Sequence, residues 1–183
     1  MQTSTDQREL MRRVAQPVAV ATATLGEQTS IRLPNHGATL SSFTSVSLNP
    51  PMIAFSLRLP SRLAEHLSNA KGRPFTIYLL SAEQAHVAHS FARQGQLPAD
   101  QLPFPPSLFT ALSSQALGSL RCSVVQSTAL RDTTKPEEDE GGEASSMLFL
   151  AKVNEARHTD RPPLLWHDRK YCSLGSVLDF VQP

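Results

Sequence analysis

Residues 37–51, reading GATLSSFTSVSLNPP, crowd hydroxyl side chains between a glycine and a proline pair. Hydroxyls and backbone amides at that density can hydrogen-bond a phosphate or the polar edge of a flat heterocycle. Gly37 permits a tight turn or a close backbone approach, and Pro50 and Pro51 keep the segment from running on as a helix. The segment reads as a loop suited to an anion, although an ordinary Ser/Thr-rich surface loop shares its composition. Nucleophilic catalysis has no footing: the serines lie outside any GxSxG elbow and the histidines have no nucleophile partner. His86 and His89 stand i to i+3 on an expected helix, with Glu83 about one turn earlier. Three such groups on one helix, with no matching partner elsewhere, read as a solvated face, and no metal is expected.

The elements that must position these residues follow from periodicity and punctuation. The polar amino-terminal residues read as a short helix feeding residues 17–24, a buried strand. Residues 25–36, with Gly26, Pro34 and Asn35, read as a hairpin connection. Residues 52–59 suit a strand with one face inside; Pro60 ends it, and Ser61 is placed to cap a short helix beginning at Arg62. Residues 75–80 are strand-like, and Ser81 with Gln84 three positions on forms a capping-box signature for a helix through Phe91. Residues 95–107 read as an extended surface connection, and residues 117–130 and 146–158 as strands. Residues 132–144 between them are rich in acids, Gly and Pro and are expected to be mobile. Many strands with turn signals and two or three short helices imply a mainly β, antiparallel barrel with peripheral helices.

Composition narrows the function classes. A chain of 183 residues, 40% hydrophobic, suits one domain over 1–183 with no need of disulfide or metal support. The net charge of +1 supplies no basic field, and Arg12–Arg13 is too small a pair to argue nucleic acid. No apolar run reaches the length of a membrane span. Cys122 and Cys172 lie far apart without metal-ligand spacing and read as reduced thiols. With no signal-peptide core and acidic residues that fit a transit peptide poorly, the expected location is the cytoplasm.

Four blocks in order then carry a resemblance: LMRRVAQPVAVATA from Leu10, GATLSSFTSVSLNPPMIAFSLRLPSR from Gly37, FTIYLLSAEQAHVAHSFA from Phe75 and PLLWHDRKYCSLG from Pro163. Together they resemble the flavin reductase family. The resemblance implies an antiparallel Greek-key split barrel that binds FMN or FAD and works as a homodimer with the flavin near the subunit interface. It implies hydride transfer from NADH or NADPH to the flavin, with reduced flavin passed to a separate monooxygenase. The flavin carries that chemistry, so no catalytic side chain is implied.

By position, the resemblance assigns Thr39, Ser41, Ser42, Ser45 and Ser47 to the flavin ring and ribityl chain, Ser61 and Arg62 to its phosphate, and Phe91 to the ring's border. His158 and Tyr171 are the candidates for a nicotinamide pocket. Trp166, His167, Asp168 and Arg169 fall in the closing segment, with packing, turn and dimer roles. The chain departs from the family at one element: a Gly-Asp-His before the strand matching MLFLAKV is replaced by Ala144, Ser145 and Ser146, and a glycine within that strand by Ala151. That departure keeps open an alternative, a flavin-binding protein that has lost efficient nicotinamide-dependent reduction.

Overall fold

The computed structural model describes residues 2–23, 36–69, 72, 74–92, 105–131 and 144–175. Its organising strand is β2, Ala19–Ala23, in which every residue is buried. Side chains alternate across a strand, so burial on both sides means that two cores meet there. Ala19, Ala21 and Ala23 face one core together with Ile53, Phe55, Phe75, Ile77 and Phe149. Val18 and Val20 face a second core with Leu80, Val87, Phe91, Phe109 and Leu112.

The described elements before β2 are a helix, α1 (Gln2–Arg12), and a short strand, β1 (Gln16–Pro17). After β2 come β3 (His36–Leu40), β4 (Phe43–Leu48), β5 (Pro51–Arg58), α2 (Arg62–Ser68) and β6 (Pro74–Leu79). A 3₁₀ turn over Ala82–Gln84 leads into α3 (Ala85–Ala92), followed by α4 (Pro106–Gln115), β7 (Gly118–Leu130), β8 (Ser146–His158), β9 (Leu165–His167) and β10 (Lys170–Cys172).

All pairings are antiparallel, in a seven-stranded sheet ordered β3-β2-β6-β7-β8-β5-β4 and a small sheet ordered β1-β9-β10. The order explains the shape. The edge strands β3 and β4 are separated in the chain only by Ser41 and Ser42. A flat sheet of seven strands would hold its edges about 29 Å apart, far beyond the reach of so short a connection. The sheet therefore rolls until its edges nearly meet, enclosing the first core, but β3 and β4 form no ladder. An open, rolled antiparallel sheet of this kind fits a split barrel, with the seam at Ser41–Ser42.

Most expected elements are present, and three differences have physical reasons. Residues 37–51, expected as a loop, are largely the strands β3 and β4 with short turns. Thr and Val favour a pleated strand, and β4 is an edge on which Ser45 is exposed and Ser47 half-buried. α4 falls on residues 106–115, where the sequence reading has only the end of a Pro-rich connection. Pro106 takes the first helical position, where its fixed φ favours initiation, and Phe109 and Leu112 bury one face. Ser81 and Gln84 open a 3₁₀ turn that continues as α3. The Gln84 carboxamide accepts from the Ser81 amide at 3.0 Å and donates to the Ala111 carbonyl at 2.9 Å, tying this turn to α4. The hairpin connection of residues 25–35 and the acidic insertion up to residue 143 lie outside the described residues.

Candidate functional site

The seam of the barrel, the end of α3 and the small sheet meet around one cleft of about 290 Å³, lined by Val18, Thr39, Ser41, Ala92, Trp166 and Tyr171. Backbone bonds lock these parts together. Val18 donates to the Leu164 carbonyl at 3.0 Å, Leu80 to Val18 at 3.0 Å and Leu164 to Leu80 at 2.9 Å. The short hairpin carrying Trp166 and Tyr171 is thus fixed to the barrel wall through its leading residue.

Close approach of α3 to β3 builds the adjoining wall. A Cβ on Gly37 would stand 2.5 Å from Phe91 Cε1, so only glycine admits the ring at this position. The Thr39 hydroxyl donates to the Ala88 carbonyl at 2.7 Å, a second tie between strand and helix. That bond consumes the hydroxyl proton and leaves oxygen lone pairs able to accept from a ligand N–H. Ser41 is exposed at the cleft mouth. Trp166 and Tyr171 are register partners, with ring centroids 4.9 Å apart in an edge arrangement. Burial pushes the Tyr171 phenol above its ordinary pKa, so it remains a protonated donor at neutral pH. The described lining residues carry no charged side chain.

The other expected site residues are spread along the seam. The Ser42 hydroxyl lies 2.8 Å from that of Ser56, and the Ser42 carbonyl accepts from the Ser56 amide at 3.3 Å. Ser45 and Ser47 sit on β4 opposite Ile53 and Met52, on either side of a register shift. Ser61 caps α2, its hydroxyl oxygen accepting from the Ala64 amide at 3.2 Å. Its hydroxyl proton is not consumed by that cap. Arg62 is exposed in the first turn of α2. Half-buried His36, the first residue of β3, titrates below its usual value: burial is the main cause, with positive charge from Arg62 and His66 adding to it. One strand therefore runs from a cationic group of residues to the cleft.

Two expected residues do not join the cleft. Phe91 is buried in the second core, its ring against Gly37 and 5.8 Å from Phe109; its neighbour Ala92 lines the cleft instead. His158 is exposed at the end of β8. Its register row runs through Gly118, Leu79 and Ala19 to Leu40, and it lies beyond the part of β8 (residues 146–152) that pairs with β5. Ser145 and Ser146, which replace the family's Gly-Asp-His element, adjoin the capping turn instead: the Leu59 amide donates to the Ser145 carbonyl at 2.9 Å.

Sequence reading gave Trp166 and Val18 no part in this site. A signal existed for Trp166. Two turn residues between Trp-His and Lys-Tyr-Cys make a hairpin that puts positions 166 and 171 directly across from each other. His86 and His89 are exposed, and Glu83 pairs with Arg161 at 3.0 Å, so that cluster is a solvated face. Among the described residues no group of three potential metal ligands converges, and no helix is long and apolar enough to cross a membrane.

Residues 11–175 match the family described as flavin reductase like domain. The chain belongs to that family. It is 30% identical over 136 residues to the reductase component of 4-nitrophenol 4-monooxygenase/4-nitrocatechol 2-monooxygenase from Rhodococcus opacus. That alignment covers 74% of the chain and 65% of the relative, just under two thirds of the relative's length. It is 29% identical over 172 residues to an NADH:FMN oxidoreductase from Rhodococcus qingshengii, covering 91% of the chain and 79% of the relative. The solved structure of the flavin reductase PheA2 superposes with a TM-score of 0.66 at 26% identity, covering 94% of the chain and 98% of its own. For this flavin reductase family member, an architecture read from residue patterns and one read from coordinates coincide.

Proposed function

We propose that the protein is an NADH-dependent flavin reductase that binds FMN and supplies reduced flavin to a separate monooxygenase. The observation that carries this reading is the cleft itself, whose described lining brings the seam hydroxyls of Thr39 and Ser41 together with the aromatic pair Trp166–Tyr171 and the apolar Val18 and Ala92. The residues suit a flavin. A flat ring needs such a slot, its polar edge needs acceptors and donors, and among the described lining residues no acidic side chain repels a phosphate-bearing cofactor. The relatives named as an NADH:FMN oxidoreductase and as a monooxygenase reductase component support the reductant, the cofactor and the partner.

A bound flavin supplies two-electron acceptance from the nicotinamide, chemistry that no side chain of the cleft has. The chain's own part is to bind, orient and exclude water. Thr39 accepts from a ring N–H, while Ser41 and Ser42 hold the ring edge and ribityl chain, with Ser45 and Ser47 farther along β4. Tyr171 keeps its proton and donates at the nicotinamide side. Ser61 gives its free hydroxyl proton, and Arg62 its fixed charge, to the phosphate. Holding two reactants face to face lowers the entropic part of the barrier without an acid or base.

The reading includes a homodimer. The outward faces of the seam half of the sheet support it, since Leu48 is 87% exposed, Val46 50% and Leu148 38%. Exposed apolar side chains on β4 and β8, two strands apart in the sheet, are the kind of surface that a second copy covers. Light scattering on the purified protein decides this point: a monomer at micromolar concentration removes it.

The deciding experiment for the activity is anaerobic mixing of the protein and FMN with NADH, following the oxidised-flavin absorbance. Rapid bleaching that depends on the protein is the expected result. Tight FMN binding without bleaching replaces it by the carrier reading, and Ser145 and Ser146 are then the first positions to restore to the family's Asp and His.

A further inference from the structure

We propose that Trp166 is a cofactor-contacting residue, whose indole is the platform on which the flavin ring stacks in the cleft. This inference rests on the flavin-binding reading and extends it to a residue whose place in the chain indicates only packing, turn or dimer roles.

Three observations carry it. First, Trp166 is half-buried: it packs against the second core and also lines the cleft, so part of the indole is held and part is presented. Second, its position is over-determined. Tyr171 meets it edge-on at 4.9 Å, and β9 is paired on one side with β1 and on the other with β10. The hairpin turn consists of Asp168 and Arg169, both left-handed, with φ of 44° and 61°. A turn of two left-handed residues normally takes Asn-Gly, and side-chain-bearing residues here cost backbone strain. The Asp168 amide donates to the Arg12 carbonyl at 2.8 Å, so the end of α1 holds that turn in place. Third, the rest of the described lining is apolar or hydroxyl-bearing, and Thr39 and Ser41 line the same cleft as the indole, which gives a ring lying on it polar partners for its edge.

An indole is electron-rich and an oxidised isoalloxazine is electron-poor, so stacking between them has a spectroscopic mark, a charge-transfer absorbance tail to the long-wavelength side of the flavin band. A purely structural tryptophan has no such tail. Trp166 is the only tryptophan in the chain, which makes the assignment of a tail direct.

The test uses the full-length protein titrated with oxidised FMN in the absence of NADH, comparing wild type with Trp166→Phe and Trp166→Leu. Wild type is expected to develop the tail in proportion to bound FMN. Trp166→Phe keeps an aromatic ring and core volume, and is expected to fold, lose the tail and bind FMN about two- to threefold more weakly. Trp166→Leu removes the ring, with an expected loss of about three- to tenfold. If the leucine variant does not fold, the phenylalanine variant still decides. The inference is overturned if FMN affinity is unchanged in a folded variant, if the tail survives in Trp166→Phe, or if only the KM for NADH rises, which would put the nicotinamide on the indole. A wild-type protein that binds no FMN overturns the parent reading, and this inference with it.

Discussion

The two cores that share β2 differ in what they leave open. The barrel interior is closed by hydrocarbon: Phe55 and Phe149 stack with centroids 5.1 Å apart, Phe75 lies 5.5 Å from Phe55, and the small alanines of β2 belong to the same core. Burial there pushes the Cys122 thiol up to about 12, so it is an inert packing group. The outer core, between the barrel wall, α3, α4 and the small sheet, packs Tyr78, Trp166 and Tyr171 along its margin. Those residues pair an apolar body with a polar or π-rich tip, and two of them, Trp166 and Tyr171, line the cleft. The contrast teaches a division of labour, in which the inner core supplies stability and the outer layer supplies recognition.

The largest expected effect breaks the inner core. Phe149→Ala removes a fully buried ring and is expected to cost about 3–5 kcal/mol in denaturant unfolding. FMN affinity of the remaining folded protein should be unchanged, because Phe149 belongs to the inner core and is not among the lining residues. An affinity loss comparable to the stability loss would mean that the two cores are not separable. Next, Gly37→Val forces a side chain into the Phe91 ring and should cost about 1–3 kcal/mol by overpacking. Here affinity must fall as well, since displacing α3 moves Ala92 and strains the Thr39–Ala88 bond. Calorimetric FMN titration of both variants separates the cases.

How far this division could be read from sequence depends on where the signals lie. Ala19–Ala23 and Pro51–Arg58 are legible because burial is written in their own residue types, and the Ser61 cap because its signature is local. The seam was legible in composition but not in conformation. Ser41 and Ser42 are a turn only because two distant edges must be brought together, a fact of sheet order that no short segment contains. Phe91 and Ala92 show the same limit at the site: adjacent residues on one helix, one turned to the core and the other to the cleft, with Gly37 from another strand deciding which. His158 is absent from the lining for a topological reason, since it sits at the end of β8 beyond the residues that pair with β5.

A smaller pair of effects sharpens the comparison at the capping turn. Ser61→Ala should cost about 1 kcal/mol of stability through loss of the α2 cap. Arg62→Ala, on an exposed side chain, should leave the melting temperature nearly unchanged and weaken FMN binding about tenfold if its charge meets the phosphate. Equal FMN affinity in Arg62→Ala and wild type would remove the phosphate assignment while leaving the cleft intact.

The smallest expected effect is the pH dependence set by His36. Burial first, then the Arg62 and His66 charges, hold its folded-state pKa below the usual 6.5, so the neutral ring is the form the fold accepts. As pH falls through about 6.5, the unfolded chain takes up a proton that the folded chain still refuses, and stability declines until the lower folded pKa is passed. His36→Gln keeps a polar, uncharged side chain and should flatten this part of the stability curve, measured as urea midpoints between about pH 7 and 5. The same titration has a sign for ligand binding. A phosphate held at Arg62 offsets the positive charge that disfavours protonation of His36, so bound FMN should raise the His36 pKa toward its usual value, and FMN affinity should increase modestly as the pH is lowered through that window. Affinity that is independent of pH in the wild type, together with a retained stability slope, would detach His36 from the ligand and leave it as a half-buried residue of the barrel wall alone.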